Sequence, residues 1–250
     1  EGPVGVGKTY LVQKVLEGLG REWIRVDGDG RYSEQKLTGW FDPPIVLSRG
    51  YVPDAFVPGP LVQAMEMGKV LFINELNRMP EGVQNVLLPA LDERKLILPY
   101  LGEIQAHEGF LVVATQNPRE FFATHALSEA LLDRFEWVPL EYPSIEEERQ
   151  ILADQIGHSG LNDSDFSSVI DLCVQVVRRS RLDSRATRGG SIRAAKSMAD
   201  FCVSELARKT PISEAVLNAA LLALPTRVDC EGEGQIRDLI SDWVVDTLAG

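Results

Sequence analysis

Cysteine and histidine are scarce in this 250-residue chain, with three of each. Cys173, Cys202 and Cys230 are odd in number and far apart, and no CxxC or Cys/His pair has metal-ligand spacing. A disulfide framework and a structural zinc site are thereby excluded, and the thiols are expected to be reduced core residues of a cytoplasmic protein. His107, His125 and His158 each stand alone and are expected to be structural or exposed. No apolar run approaches the roughly 20 residues that cross a bilayer, so no membrane span is expected. Positive charge is short as well: 25 Lys and Arg face 37 Asp and Glu, a net charge of -12. A field of that sign repels nucleic acid and anionic membranes, and no nucleic-acid partner is expected. Against it stands one basic stretch, Arg178, Arg179, Arg181, Arg185, Arg188, Arg193 and Lys196. It reads as a solvated helix end and loop, or as a source of one or two phosphate contacts.

What the chain does have begins at residue 2. Gly2, Pro3, Val4, Gly5, Val6, Gly7, Lys8 and Thr9 satisfy GxxxxGK[ST]. In such a loop backbone N–H groups converge on a phosphate, glycines let the backbone approach, and the following helix adds its dipole. Lys8 is placed to reach the β- and γ-phosphates of ATP and Thr9 to ligate Mg2+. Residues 8–19 put Leu11, Val12, Val15, Leu16 and Leu19 on one helical face. The chain opens on Glu1, without a strand to feed the loop, and is expected to be a fragment truncated at its N-terminus.

The remaining pattern divides near residue 142. Trp23 to Val26, the buried run Val70–Ile73, Phe110 to Thr115, and Trp137 to Leu140 read as strands. Helices are expected over 80–92 and 126–134, and a hairpin over 95–105. DGDG at 27–30 has a faint likeness to a calcium loop, but Arg31 and Tyr32 break that pattern. Residues 39–60 are dense in Gly and Pro, which predicts a loop or irregular hairpin. Its Trp40, Phe41, Tyr51 and Phe56 either pack on their own domain or contact a partner. Strands alternating with helices predict an α/β parallel-sheet domain at 1–142, with helices on both faces. Residues 143–250 read as all helix. A capping box at Ser144 and Glu147 starts a helix over 145–156; others follow at 165–179, 191–208, after Pro211, and at 235–248. CEGEG at 230–234 reads as the linker before the last.

Several polar residues close these elements. Asn74 and Glu75 end a strand where a second phosphate-site element belongs, normally an Asp for the magnesium shell and a Glu to polarise the attacking water. Glu75 suits the second role, while Asn74 meets the metal position with a neutral amide. Asn117 ends the next strand, where a polar side chain can orient the lytic water. Arg134 closes a helix, as a cap for its C-terminus or as an arginine finger toward a neighbouring subunit. Arg193 opens a helix after Gly189-Gly190 and could touch a γ-phosphate.

In order and spacing, GPVGVGKT (2–9), FVPGPL (56–61), LFINELNRMP (71–80), QNVLLPALDER (84–94), ATQNP (114–118), LLDRF (131–135) and GGSIR (189–193) resemble the MoxR branch of AAA+ ATPases, over about residues 1–225. The resemblance implies a P-loop NTPase core, a small helical lid, and a ring, typically a hexamer, with ATP between subunits. It assigns Glu75 the general-base position, Asn117 sensor 1, Arg134 the arginine finger and Arg193 sensor 2. It implies a remodelling motor that often works with a von Willebrand factor A domain protein. Segment 39–60 would be the family's insertion and 94–105 its hairpin before sensor 1, both facing the ring's pore or top surface. Asn74 departs from the family's Asp, which sets the rate of hydrolysis apart from binding. A nucleotide-binding scaffold or switch with little hydrolysis is the competing expectation.

Overall fold

The computed structural model describes residues 1–117, 126–157, 161–231 and 235–249. The chain separates into two compact units, Glu1–Pro3 with Gly7–Leu140, and Val4–Val6 with Glu141–Gly250.

The first unit runs α1 (Lys8–Gly18), β1 (Trp23–Asp27), α2 (Glu34–Thr38), β2 (Gly39–Phe41), α3 (Pro43–Arg49), β3 (Phe56–Pro58), α4 (Pro60–Met67), β4 (Val70–Asn74), α5 (Glu81–Asn85), α6 (Leu87–Asp92), β5 (Lys95–Leu98), β6 (Gly102–Gln105), β7 (Leu111–Ala114) and α7 (Glu129–Leu132). Strands β1, β4 and β7 form a parallel sheet in that order, with Asp27 in register with Asn74 and Ile73 with Ala114. β4 is central, and Val70, Leu71, Phe72 and Ile73 are fully buried, each worth about 1.5–3 kcal/mol over exposure. Leu61, Val62, Ala64 and Met65 of α4 are buried in the same core as Leu71 and Ile73. Because the strands are parallel, their C-terminal ends share one edge of the sheet, the edge at which open α/β sheets present ligand-binding groups.

Departures from the expected elements have local causes. Trp137 to Leu140 is not a strand. Among the described residues it pairs with Glu1, whose N–H donates to the Val138 carbonyl and whose own carbonyl accepts from Leu140, and one residue makes no ladder. The helix expected over 80–92 is two, broken at Val86, and 126–134 holds a single helical turn. Segment 39–60 is the expected irregular hairpin, the antiparallel pair β2–β3, with an unexpected helix, α3, inside it. The Pro-rich start that argued for a loop is the start of that helix: Pro43 occupies its first turn and Asp42 caps it through the Ile45 N–H. Phe41 and Tyr51 pack with Tyr100 of the β5–β6 hairpin, Tyr51 and Tyr100 stacked at 4.1 Å, and Phe56 packs on Phe41. Leu11, Val15 and Leu19 of α1 are exposed and only Leu16 of the apolar face is buried.

The second unit holds α8 (Ile145–Gln155), α9 (Asp163–Leu182), β8 (Ala186–Arg188), α10 (Ile192–Ala207), α11 (Ile212–Ala223), β9 (Asp229–Cys230) and α12 (Ile236–Ala249). The Ser144–Glu147 capping box is formed. The small antiparallel pair β8–β9 corrects the all-helical expectation. Most of the basic stretch is tied down: Arg178 and Arg181 converge on the fully buried Glu148, Arg181 lies 3.8 Å from the Tyr142 ring, and Arg179 donates to the Asp246 carbonyl. Cys173 and Cys202 are buried with sulfurs 3.8 Å apart, and burial pushes the Cys173 thiol well up; Cys230 is only half-buried. His107 is exposed, its Nδ1 accepting from the Gly109 N–H, while His125, His158 and residues 232–234 of the expected linker lie outside the described residues. No described helix is long and apolar enough to cross a membrane.

Asp183, after α9, accepts from the buried Trp243 indole N–H at 2.7 Å and pairs with Arg185. These contacts, Arg185 foremost, hold its carboxyl far below the usual range. A carboxyl with a depressed folded pKa contributes stability above its ordinary value, about 3.9, that is lost as pH falls below it. Asp183→Asn is expected to destabilise the fold by about 1–2 kcal/mol at neutral pH, the gap shrinking progressively below about pH 4. Denaturant melts followed by tryptophan fluorescence read both; a gap independent of pH would refute the charge-based account.

Candidate functional site

The loop at residues 2–9 takes its shape from glycine. Gly5 and Gly7 have φ of 76° and 100°, a region that side chains with a Cβ rarely enter. Gly7 is the N-cap of α1 and offers no side-chain cap, so the first-turn N–H groups remain available to an anion. Lys8 is buried, and its Nζ donates to the carbonyls of Gly2 (2.7 Å) and Pro3 (2.9 Å) and to Asn117 Oδ1 (2.9 Å). Thr9 Oγ1 donates to Asn74 Oδ1 at 2.7 Å.

The C-terminal edge of the sheet supplies the rest. Thr115, just beyond β7, donates its hydroxyl to Asn74 Oδ1 (3.0 Å) and accepts the Glu75 N–H (3.0 Å). Glu75 itself has φ 60°, a left-handed conformation costing a non-glycine residue about 1–2 kcal/mol. Its two carboxylate oxygens are held apart, Oε1 by Asn117 Nδ2 at 3.3 Å and Oε2 by Arg78 at 2.8 Å. Asn77, almost fully buried, donates to the backbone carbonyl of Asn117 at 3.0 Å. Asp27 accepts from Asn74 Nδ2 at 2.9 Å. The hydrogen bonds from Arg25 outweigh desolvation and, with a smaller contribution from Asn74, hold the Asp27 carboxyl below its usual range.

Lys8, Thr9, Asn74, Glu75 and Asn117 are therefore joined in one hydrogen-bonded set. The two arginines are placed differently. Arg134 bonds Asp92 at 2.6 Å and the Ala130 carbonyl at 2.5 Å, the contact of a helix C-terminal cap. Arg193 is exposed on the first turn of α10 in the second unit, with no hydrogen-bond partner among the described residues. Thr115, Asn77, Arg78 and Asp27 were not singled out from sequence. Thr115 and Asp27 carried one usable signal, a polar residue at the end of an apolar strand.

Thr9 Oγ1 and Asn74 Oδ1 stand together at 2.7 Å, oxygen ligands of the kind a hard cation such as Mg2+ takes, with the Asp27 carboxylate beyond the Asn74 Nδ2. The residues present fit that ion. A cavity of about 820 Å3 adjoins these residues along α1 and β7, reaching Thr115 and lined by Leu11, Val15, Val112, Ala114, Leu132 and Trp137. Lys8 touches it, but its apolar wall does not suit a triphosphate.

Fold and loop together define the class: a P-loop NTPase of the AAA+ type, with a parallel sheet, helices and a helical C-terminal region. The chain belongs to the AAA domain family, dynein-related subfamily, whose model matches residues 1–135. Nucleotide binding goes with that membership. The chain is 29% identical to the gas vesicle ATPase GvpN of Haloferax mediterranei over 83% of its length and 67% of the relative's. It is 30% identical to GvpN of Ancylobacter aquaticus over 68% of its length, and spans about half (52%) of that protein. An uncharacterized protein, SSP1341, of Staphylococcus saprophyticus is 31% identical over 86% of this chain and 80% of its own. Among solved structures, NtrX from Brucella abortus in complex with ADP shares the fold, with a TM-score of 0.50 and 15% identity over 88% of this chain and 55% of that one.

Proposed function

We propose that the chain is the motor part of an ATP-hydrolysing AAA+ ring ATPase of the MoxR type, which remodels or matures a partner protein complex. The observation that carries this reading is the continuous bonding from Lys8 through Asn117 to Glu75, with Thr9 bonded to Asn74. ATP lies on the backbone N–H groups of the 2–9 loop, to which Pro3 contributes none, with Lys8 at the β- and γ-phosphates. Glu75 accepts the proton of a water as its oxygen attacks the γ-phosphorus and the bond to the ADP oxygen breaks. Asn117, held from behind by Asn77, keeps that water and Glu75 aligned. Mg2+, when bound with the nucleotide, neutralises phosphate charge; Thr9 and Asn74 are the residues that would hold it. Arg134 acts on a neighbouring subunit's nucleotide, exchanging its Asp92 partner for phosphate, and Arg193 contacts the γ-phosphate. Relatives named as ATPases support hydrolysis, and the family's ring assembly supports a hexamer. A von Willebrand factor A domain protein is the proposed partner.

One observation favours a second reading, a nucleotide-binding switch with little turnover. Asn74 brings no charge, and its oxygen already accepts from two hydroxyls. Magnesium-dependent ATP turnover by the protein decides between them. The motor reading expects turnover in the usual range of about 1 per second or more, abolished by EDTA. Background turnover that Asn74→Asp restores would overturn it in favour of the switch.

A further inference from the structure

The Asp-Gly pair at the head of DGDG has no calcium-loop role, and the nucleotide reading leaves Asp27 unused. Its position gives it one. β1 and β4 are parallel neighbours, and Asp27 and Asn74 are in register at their C-terminal ends, so their side chains leave the same face of the sheet. The turn after Asp27 is clamped there: the Gly28 N–H donates to the Asn74 carbonyl at 2.7 Å, and a Cβ at Gly28 would collide with the Glu75 carbonyl. The chain can keep Asp27 beside Asn74 only with glycine at residue 28.

The contact between the two side chains is directional. Asn74 Nδ2 donates to Asp27 Oδ1 at 2.9 Å, while Asn74 Oδ1 accepts from Thr9 and Thr115. With the amide reversed, its oxygen would face the carboxylate, two acceptors with no proton between them. Asp27 therefore turns the Asn74 oxygen toward Thr9, the metal end of the site. It also places a full negative charge one amide away from that oxygen. Arg25 bonds both carboxylate oxygens, most closely the same Oδ1 at 2.6 Å, in an exposed pair of the kind that contributes about 1 kcal/mol or less.

We propose that Asp27 supplies, through the Asn74 amide, the carboxylate charge and orientation that a strand-end Asp would otherwise bring to the magnesium shell. The carboxylate has moved one strand sideways, and Asn74 carries it to Thr9. This inference rests on the phosphate-loop reading, and its test separates the two.

The test is equilibrium binding of the non-hydrolysable analogue AMP-PNP to the full chain, by calorimetry, with MgCl2 and with EDTA. The wild type is expected to bind more tightly with magnesium. Asp27→Asn is expected to shrink that enhancement about tenfold while leaving the EDTA affinity within threefold. The exchange Asp27→Asn with Asn74→Asp returns the carboxylate to β4 and is expected to restore the enhancement to within about threefold of wild type. A purely structural role for Asp27 would lower affinity equally in EDTA, and the exchange would not restore it. An unchanged magnesium enhancement in Asp27→Asn overturns the inference. Failure of the wild type to bind AMP-PNP in either buffer overturns the phosphate-loop reading instead.

Discussion

Lys8→Met is expected to weaken ATP binding at least about 100-fold, a loss of about 2.7 kcal/mol. The buried Lys8 ammonium is held by acceptors that include the Gly2 and Pro3 carbonyls and Asn117 Oδ1. A nucleotide's phosphate oxygens offer acceptors of the same kind with full charge, and charge-assisted hydrogen bonds are about twice as strong as neutral ones. Met keeps the apolar stem and removes only the charged donor. Calorimetric titration with ATP measures the effect, and a circular dichroism melt checks that the fold survives. Binding within fivefold of wild type would show that Lys8 does not meet phosphate.

Glu75→Gln is expected to leave ATP affinity within about threefold and to lower turnover by about 100- to 1,000-fold, the contribution of a positioned general base. The substituted amide can still accept from Asn117 through its oxygen, so the bond seen at Oε1 is retained. What is lost is proton-accepting capacity, together with the charge facing Arg78. Single-turnover hydrolysis under saturating ATP separates chemistry from binding. A decrease below tenfold would remove Glu75 from the base position and shift attention to Asn117.

The two effects fall on residues whose roles differ in how far they could be read from the chain. The phosphate loop was legible because its requirements are local. Gly5 and Gly7 occur where φ must be positive, and Lys8 starts the helix whose amides complete the cradle. Ile73-Asn74-Glu75 was legible because a continuous apolar run ends there in polar residues. The Ser144–Glu147 cap and helices α8 to α12 were legible for the same reason: their signals lie within a turn or two of the feature they mark. The α/β class followed from the alternation of such signals.

Other features depended on partners far along the chain. Trp137 to Leu140 has a strand's composition, but strand formation needs a neighbour, and among the described residues Glu1 is the residue bonded to it. The apolar face of α1 reads as core and is largely exposed, because burial is a property of what packs opposite. Arg134 has the same sequence context whether it reaches a phosphate or its own helix end; the contacts with Asp92 and Ala130 within the protomer are tertiary.

Residues 2–9 determined by themselves the glycine-shaped loop and the start of α1, since backbone conformation and helix start are written in consecutive residues. The later motifs marked which strand ends face it. Only the tertiary structure decided that Asp27 stands beside Asn74 and that Thr115 ties Asn74 to Glu75. Those contacts follow from the register and order of parallel strands separated by long crossovers, and that register is set by the packing of the whole sheet rather than by the residues that meet across it.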